Sequence, residues 1–199
     1  MPAPGPSPAP LGTKLRGFLL VTLTCLAAYT ANFRELGLTD TLPATLLPAS
    51  LLREGDLALD EFTPLLEERS PDGAVTLGRQ VEWTRALRQV RGHLRSSYPV
   101  GAAVLAAPFY AAPVALGRLE TYADYRAVGK AAASALTALS AGVLYLALCR
   151  LASARAALLL ALFYGLGTPA WVIASQAMWQ HGPAMLCLAV AMLAALRLR

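Results

Sequence analysis

Apolar residues in this chain collect into long runs separated by polar stretches, with little of the alternation that marks a half-buried sheet. The runs are Gly17–Phe33, Val100–Leu116, Ala131–Leu148, Ala156–Ala174 and Pro183–Leu196. About 20 apolar residues are needed for a helix to cross a hydrocarbon core. By that measure the first and the last three runs predict membrane-spanning helices over about 15–33, 131–149, 156–175 and 183–197. Val100–Leu116 is shorter and carries Pro108 and Pro113, so hydropathy alone leaves its status open. Ahead of the first run, Met1–Leu11 is rich in Pro and Ala without periodicity, which predicts a disordered tail reaching to about residue 13. A secretory signal would share the layout of the first run, with Ala28-Tyr29-Thr30 as a weak cleavage site. The further apolar runs downstream favour an uncleaved first helix instead.

The polar segment from Arg34 to Tyr98 has its own pattern. Leu46, Leu47, Leu51 and Leu52 stand at near-helical spacing, interrupted by Pro43 and Pro48. This predicts a short helix over about 42–53, lying in the membrane interface. Glu54-Gly55-Asp56 reads as its exit, with Gly55 able to adopt a left-handed conformation. Leu57-Ala58-Leu59-Asp60 reads as extended, and Pro71-Asp72-Gly73 is a turn signal within a stretch of mixed pattern.

Charge distribution sharpens this picture. Only 15% of the 199 residues are charged, against about 25% in soluble domains. All 12 acidic residues fall between Glu35 and Asp124, so the last third of the chain was not written for water. The net charge of +5 does not form a basic patch of the kind that binds nucleic acid. Lys14/Arg16, Arg150/Arg155 and Arg197/Arg199 instead flank the apolar runs. The positive-inside bias is satisfied at all three groups if 100–116 dips into the membrane and returns to the same side. The expected fold class is therefore all-α, a polytopic membrane helical bundle in the cell membrane with its N-terminus cytoplasmic. A long first outer loop over 34–130 carries interfacial or re-entrant segments at about 42–53 and 100–116. Irregular backbone at membrane depth must be covered by protein or line a cavity, so the dip would line one.

Candidate chemistry gathers on the outer side. Asp40, in Gly37-Leu38-Thr39-Asp40-Thr41, stands a few residues beyond the first helix, where a carboxylate can be tuned for proton removal. The plainer alternative is that Asp40 caps the helix after Thr41. Asp60-Glu61 forms an acid pair able to bind a cation or orient a hydroxyl, or simply a solvated loop charge. His93, Arg95 and Tyr98 lead into the 100–116 segment, where His93 and Arg95 are suited to a phosphate; a plain turn explains them too. Gln176 and His181 are polar groups at helix ends expected on the same side as Asp40, or ordinary loop residues. Trp179 between them reads as an interfacial anchor. Cys25, Cys149 and Cys187 all lie in apolar runs without Cys-x-x-Cys spacing, so neither a disulfide nor a zinc site is expected. The signatures His-Glu-x-x-His and Gly-x-Ser-x-Gly and a phosphate-cradling glycine loop are absent from the sequence.

The order of these features resembles the start of the GT-C membrane glycosyltransferases. Within that group it is similar to the protein O-mannosyltransferases and the aminoarabinose transferases that modify lipid A. The residues that carry the resemblance are Thr39-Asp40-Thr41, Ser50 to Asp60, Tyr98-Pro99-Val100-Gly101 and Thr168 to Pro183, spread over about residues 15–199. The resemblance implies transfer of a sugar from a polyprenyl-phosphate donor to an acceptor hydroxyl on the non-cytoplasmic side. Asp40 matches the family's base, and Asp60, Glu61, His93, Arg95, Tyr98, Gln176 and His181 would line the substrate site. Where the family often has Asp-Glu, this chain has Asp40-Thr41, so no resident metal is assigned and a divalent cation is left open. Such enzymes continue for several more spans, so the 199 residues are expected to be the N-terminal part of a longer enzyme. Membrane lipid and the polyprenyl-linked sugar are the expected partners, with no nucleic acid and the oligomeric state undetermined. The competing reading is a non-enzymatic polytopic membrane protein, such as a transporter fragment or an assembly partner. Gly165-Leu166-Gly167-Thr168-Pro169 is the one stretch resembling the broken helix of a transporter.

Overall fold

Helices account for most of the chain in the computed structural model, which describes residues 11–32, 34–37, 39–69, 75–77 and 85–198. The elements, in order, are α1 (Leu11–Ala31), α2 (Leu42–Arg53), α3 (Thr63–Leu66), β1 (Glu67–Arg69), β2 (Val75–Leu77), β3 (Leu87–Val90) and β4 (His93–Ser96). Then follow α4 (Gly101–Ala115), α5 (Tyr122–Leu148), α6 (Ala154–Leu166) and α7 (His181–Arg197). Of the tail expected over residues 1–13, residues 1–10 lie outside the described residues, while 11–13 already belong to α1; the Pro71-Asp72-Gly73 turn also lies outside the described residues. The chain divides into two units, described here separately.

The first unit comprises Met1–Arg34, Ser134–Gln176 and His181–Arg199. Its interior is built from small residues: Ala138, Ala141, Ala157 and Ala161 pack with Val21, Cys25, Tyr29 and Tyr145. Glycines let the helices approach further. A Cβ on Gly142 would meet Thr22 and Phe18, one on Gly17 would meet Tyr145, and one on Gly165 would meet Cys25 Sγ. Tyr29 Oη also donates to the Gly165 carbonyl over 2.8 Å, joining α1 to the end of α6. The large apolar side chains point the other way. Leu159 and Phe163 of α6 are 69% and 68% exposed and Leu188 of α7 is 70% exposed, with Leu19, Leu20 and Leu23 of α1 also open. A water-soluble helix pairs an apolar inner stripe with a polar outer face; these helices have the reverse order of size, and their outer faces are apolar.

Among the described residues, two helices, Gly12–Ala31 and Tyr122–Leu148, are long and apolar enough to cross a membrane. The expected single helix over 156–175 is two pieces. α6 stops at Leu166 before Gly167, and a π-helical turn occupies Ala170–Ala174. Pro169 has no N–H to continue the ladder, and Thr168 Oγ1 takes over at the break. It donates to the Tyr164 carbonyl over 2.6 Å and accepts from the Ala170 N–H over 3.2 Å. Ser153 caps the other end of α6 by accepting from the Ala156 N–H.

The second unit comprises Glu35–Ala133 and Ala177–Gln180. Its centre is α2, every residue of which from Leu42 to Ser50 is buried. The sequence pattern predicts a helix here lying in an interface; it is buried from Leu42 to Ser50 and open in its last turn, where Leu52 and Arg53 are exposed. α4 lies against it through Ala102, Ala103, Ala106 and Tyr110. Pro108 and Pro113 fall within α4, whose 15 residues extend about 22 Å, short of a full crossing. Below α2, Phe62 meets Tyr125 edge-on with ring centroids 5.3 Å apart. Arg53 at the end of α2 donates to Tyr125 Oη over 2.7 Å and to the Leu119 carbonyl over 3.3 Å. Arg126 pairs with Glu35, fastening the first residues of the unit to α5.

Because Gly165 admits no Cβ beside Cys25, Gly165→Ala should lower the melting temperature of the detergent-purified chain, by the equivalent of about 1–3 kcal/mol for overpacking. Adding Cys25→Ala should return most of that loss. Gly12→Ala, in open space within α1, should lose no stability. Equal melting temperatures for Gly165→Ala and the wild type would contradict the close contact.

Candidate functional site

The candidate residues within the second unit are positioned by the turn that leaves α2. Gly55 takes φ +74° there, as its lack of a Cβ allows. Ser50, buried at the end of α2, donates through Oγ to the Ala58 carbonyl over 2.7 Å. Asp56 Oδ1 accepts from the Ala58 N–H over 2.9 Å, so the chain doubles back and presents residues 58–60 in extended form.

That short stretch runs along a hairpin. β3 and β4 pair antiparallel with Val90 opposite His93, leaving Arg91 and Gly92 as a two-residue turn. Both have positive φ, 54° and 86°, the pattern of a type I′ turn that matches the twist of the strands. Ala58 bridges to Arg95, and the Leu59 N–H donates to the Leu94 carbonyl over 2.8 Å. Asp60 completes the attachment. Its Oδ1 accepts from the Leu94 N–H over 2.7 Å and its Oδ2 stands 2.8 Å from His93 Nδ1. The backbone N–H of Leu94, and after it the imidazole of His93, hold the Asp60 carboxyl below the usual carboxylate range. Of the acid pair, Asp60 is bonded to the hairpin, while Glu61 is exposed on the 3₁₀ turn Asp60–Phe62.

Asp40 is met at the other end of β4. It lies on a 3₁₀ turn, Thr39–Thr41, immediately before α2. The cap position of α2 is Thr41, with proline in the first turn, so Asp40 does not cap the helix. Its Oδ1 accepts a 2.7 Å hydrogen bond from Tyr98 Oη instead. Tyr98 is held for this by Ser96, whose Oγ accepts from the Tyr98 N–H over 2.9 Å and donates to the Tyr98 carbonyl over 3.0 Å. The bond to the Asp40 carboxylate raises the Tyr98 phenol above its usual value, keeping that proton in place. Asp40 is exposed, and no other hydrogen bond engages it among the described residues, which leaves Oδ2 open. Arg95 is exposed on β4 between the two carboxylate contacts.

The remaining two candidates belong to the first unit and differ from each other. Gln176 is buried and its amide donates to the Trp171 carbonyl and to Ser175 Oγ, both over 2.7 Å, so it stabilises the π-helical turn before it. His181 is exposed at the first residue of α7. No group of three or more His, Cys, Asp or Glu side chains is placed to hold a metal ion among the described residues.

Sequence reasoning missed Glu35 and Arg126, and it missed Arg53. Their partners stand 91 and 72 residues away, so no local spacing announced them. It singled out both Asp40 and Tyr98 without joining them. The Tyr98-Pro99 dipeptide was a signal of sorts, since a residue before proline is confined to extended backbone and its side chain is correspondingly well aimed.

Asp60→Ala removes the acceptor for the Leu94 N–H and the partner of His93, and should cost about 1 kcal/mol at neutral pH, modest because the pair faces solvent. The Asp60 carboxyl is lowered in the folded chain, so its contribution is present above the ordinary value of about 3.9 and fades as the pH falls through the lowered one. Thermal unfolding of wild type and Asp60→Ala should therefore converge in strong acid; a gap that widens there would contradict the assignment. No protein-family model matches the chain, and no curated protein or solved structure matches it either.

Proposed function

We propose that the chain is a polytopic membrane protein with its N-terminus in the cytoplasm, and that it forms part of a GT-C-type glycosyltransferase. It would transfer a sugar from a polyprenyl-phosphate donor to an acceptor hydroxyl on the non-cytoplasmic side. The observation that carries this reading is the Asp40 carboxylate, one oxygen fixed by Tyr98 and the other open to solvent. A general base needs that combination of a set orientation and a free lone pair. The outward-facing Leu and Phe side chains of α1, α6 and α7 support a bilayer environment.

In the proposed step the acceptor hydroxyl gives its proton to Asp40 Oδ2 as its oxygen bonds to the anomeric carbon. The bond from that carbon to the phosphate oxygen breaks, and polyprenyl phosphate departs with the electron pair. Positive character grows on the sugar ring as the bond to phosphate lengthens, as in other glycosyl transfers. Arg95, exposed on β4, is the side chain proposed to meet the departing phosphate, since a guanidinium matches two phosphate oxygens at once. His93 has a different part: it holds Asp60, and through Asp60 the hairpin that aims Tyr98. Gln176 is left out because its amide is engaged in its own turn. The same engagement weighs against transport, because polar groups at the break are paired by its own side chains and by neighbouring helices.

Membranes containing the chain should transfer sugar from a radiolabelled polyprenyl-phosphate donor. Asp40→Asn should lower the rate by about 10²–10⁴-fold at unchanged expression and membrane insertion. Tyr98→Phe, which releases Asp40 without removing it, should act mainly on kcat and by less. Transfer at the wild-type rate by Asp40→Asn would contradict the base assignment.

A further inference from the structure

The first unit contains Lys14, Arg16, Arg34, Arg150, Arg155, Arg197 and Arg199, and no aspartate or glutamate. Three of these cations converge. Lys14 of α1, Arg150 just after α5 and Arg197 at the end of α7 line one cavity of about 360 Å³. Its remaining walls are apolar, among them Phe18, Leu146 and Leu193. Arg150 Nη2 donates to the Leu196 carbonyl over 3.3 Å, a neutral partner that leaves its charge uncompensated. Neither ion pair of the described residues involves these three side chains. Three cations brought together repel one another, and an anion seated among them relieves that repulsion.

We infer that this cavity binds an anionic phospholipid, with the headgroup phosphate between Lys14, Arg150 and Arg197 and acyl-chain carbons against Phe18, Leu146 and Leu193. The mixture of cations and apolar wall selects this occupant. A free phosphate ion would satisfy the cations and leave the apolar wall open, whereas a lipid satisfies both. Basic pockets between membrane helices recognise phospholipid headgroups by this chemistry. The inference rests on the membrane reading above and is independent of sugar transfer.

The test measures the melting temperature of the full chain in detergent with added phosphatidylglycerol, phosphatidylcholine or inorganic phosphate, with native mass spectrometry to count bound lipid. Phosphatidylglycerol should stabilise the chain beyond phosphatidylcholine, and inorganic phosphate should not. Lys14→Gln/Arg150→Gln/Arg197→Gln should lose the difference between the two lipids and keep its melting temperature in phosphatidylcholine. Should that triple variant fail to fold, Arg197→Gln alone, altering an exposed side chain, should weaken phosphatidylglycerol binding about fivefold. Arg155→Gln, outside the cavity, should bind as the wild type does. Equal stabilisation by both lipids, stabilisation by inorganic phosphate equal to that by phosphatidylglycerol, or retained preference in the charge variants would each overturn the inference. Release of the chain from membranes by alkaline carbonate would overturn the membrane reading along with it; retention without lipid preference would sink the lipid site alone.

Discussion

Close approach between helices, permitted by glycine and alanine, is the constraint on which the first unit depends. Gly17, Gly142 and Gly165 each take a neighbouring helix where a side chain would stand, and alanines fill the seam between them. In water such a seam would bury too little apolar surface to offset the ordering of the chain. In a bilayer the lipid tails are as apolar as leucine, and helix association relies on close van der Waals contact instead. The proposed membrane setting thus accounts for two observations together: small residues inside, and Leu159, Phe163 and Leu188 outside. It also suits a unit without a single acidic residue, whose cations find no carboxylate partner within it.

The second unit solves a different problem. It buries most of a helix, α2 from Leu42 to Ser50, and uses the two ends of that helix to set polar groups. At the start stands Asp40; at the end, the Ser50–Asp56 turn folds the chain back so that residues 58–60 meet β4. One strand, His93–Ser96, therefore carries a contact to Asp60 at one end and leads to the contact with Asp40 at the other. Asp60, joined to the backbone, is fixed structurally, while Asp40, joined only to a tyrosine hydroxyl, keeps an oxygen for chemistry. That asymmetry between two exposed carboxylates is what singles out Asp40 as the proposed base.

Local patterns were legible in the sequence and long-range pairings were not. The spacing of Leu46, Leu47, Leu51 and Leu52 announced α2, and Gly55 announced its end. That α2 would be buried from Leu42 to Ser50 was hidden, because its alanines, prolines and threonine do not distinguish a buried face from an interfacial one. Mean hydropathy joined 156–175 into one span, since an average over apolar side chains does not register the N–H that Pro169 lacks. The β3–β4 hairpin escaped notice because its turn is Arg91-Gly92 and not the Asn-Gly or Asp-Gly that usually marks positive φ at both positions. Asp40 stood out by its place just beyond a helix. Its partner Tyr98, 58 residues away, is supplied only by the fold.

The central claim is that the apolar helices of the first unit sit in a bilayer with the Asp40 segment outside the cell. Single cysteines placed by Glu61→Cys, Glu120→Cys and Ala152→Cys, in a background with Cys25, Cys149 and Cys187 replaced by alanine, would be labelled by an impermeant maleimide on intact cells. The account requires labelling at positions 61 and 120 and protection at 152 until the membrane is opened. Labelling at 152 together with protection at 61 would put Asp40 in the cytoplasm, where a polyprenyl-linked sugar facing outward could not reach it, and would contradict the account.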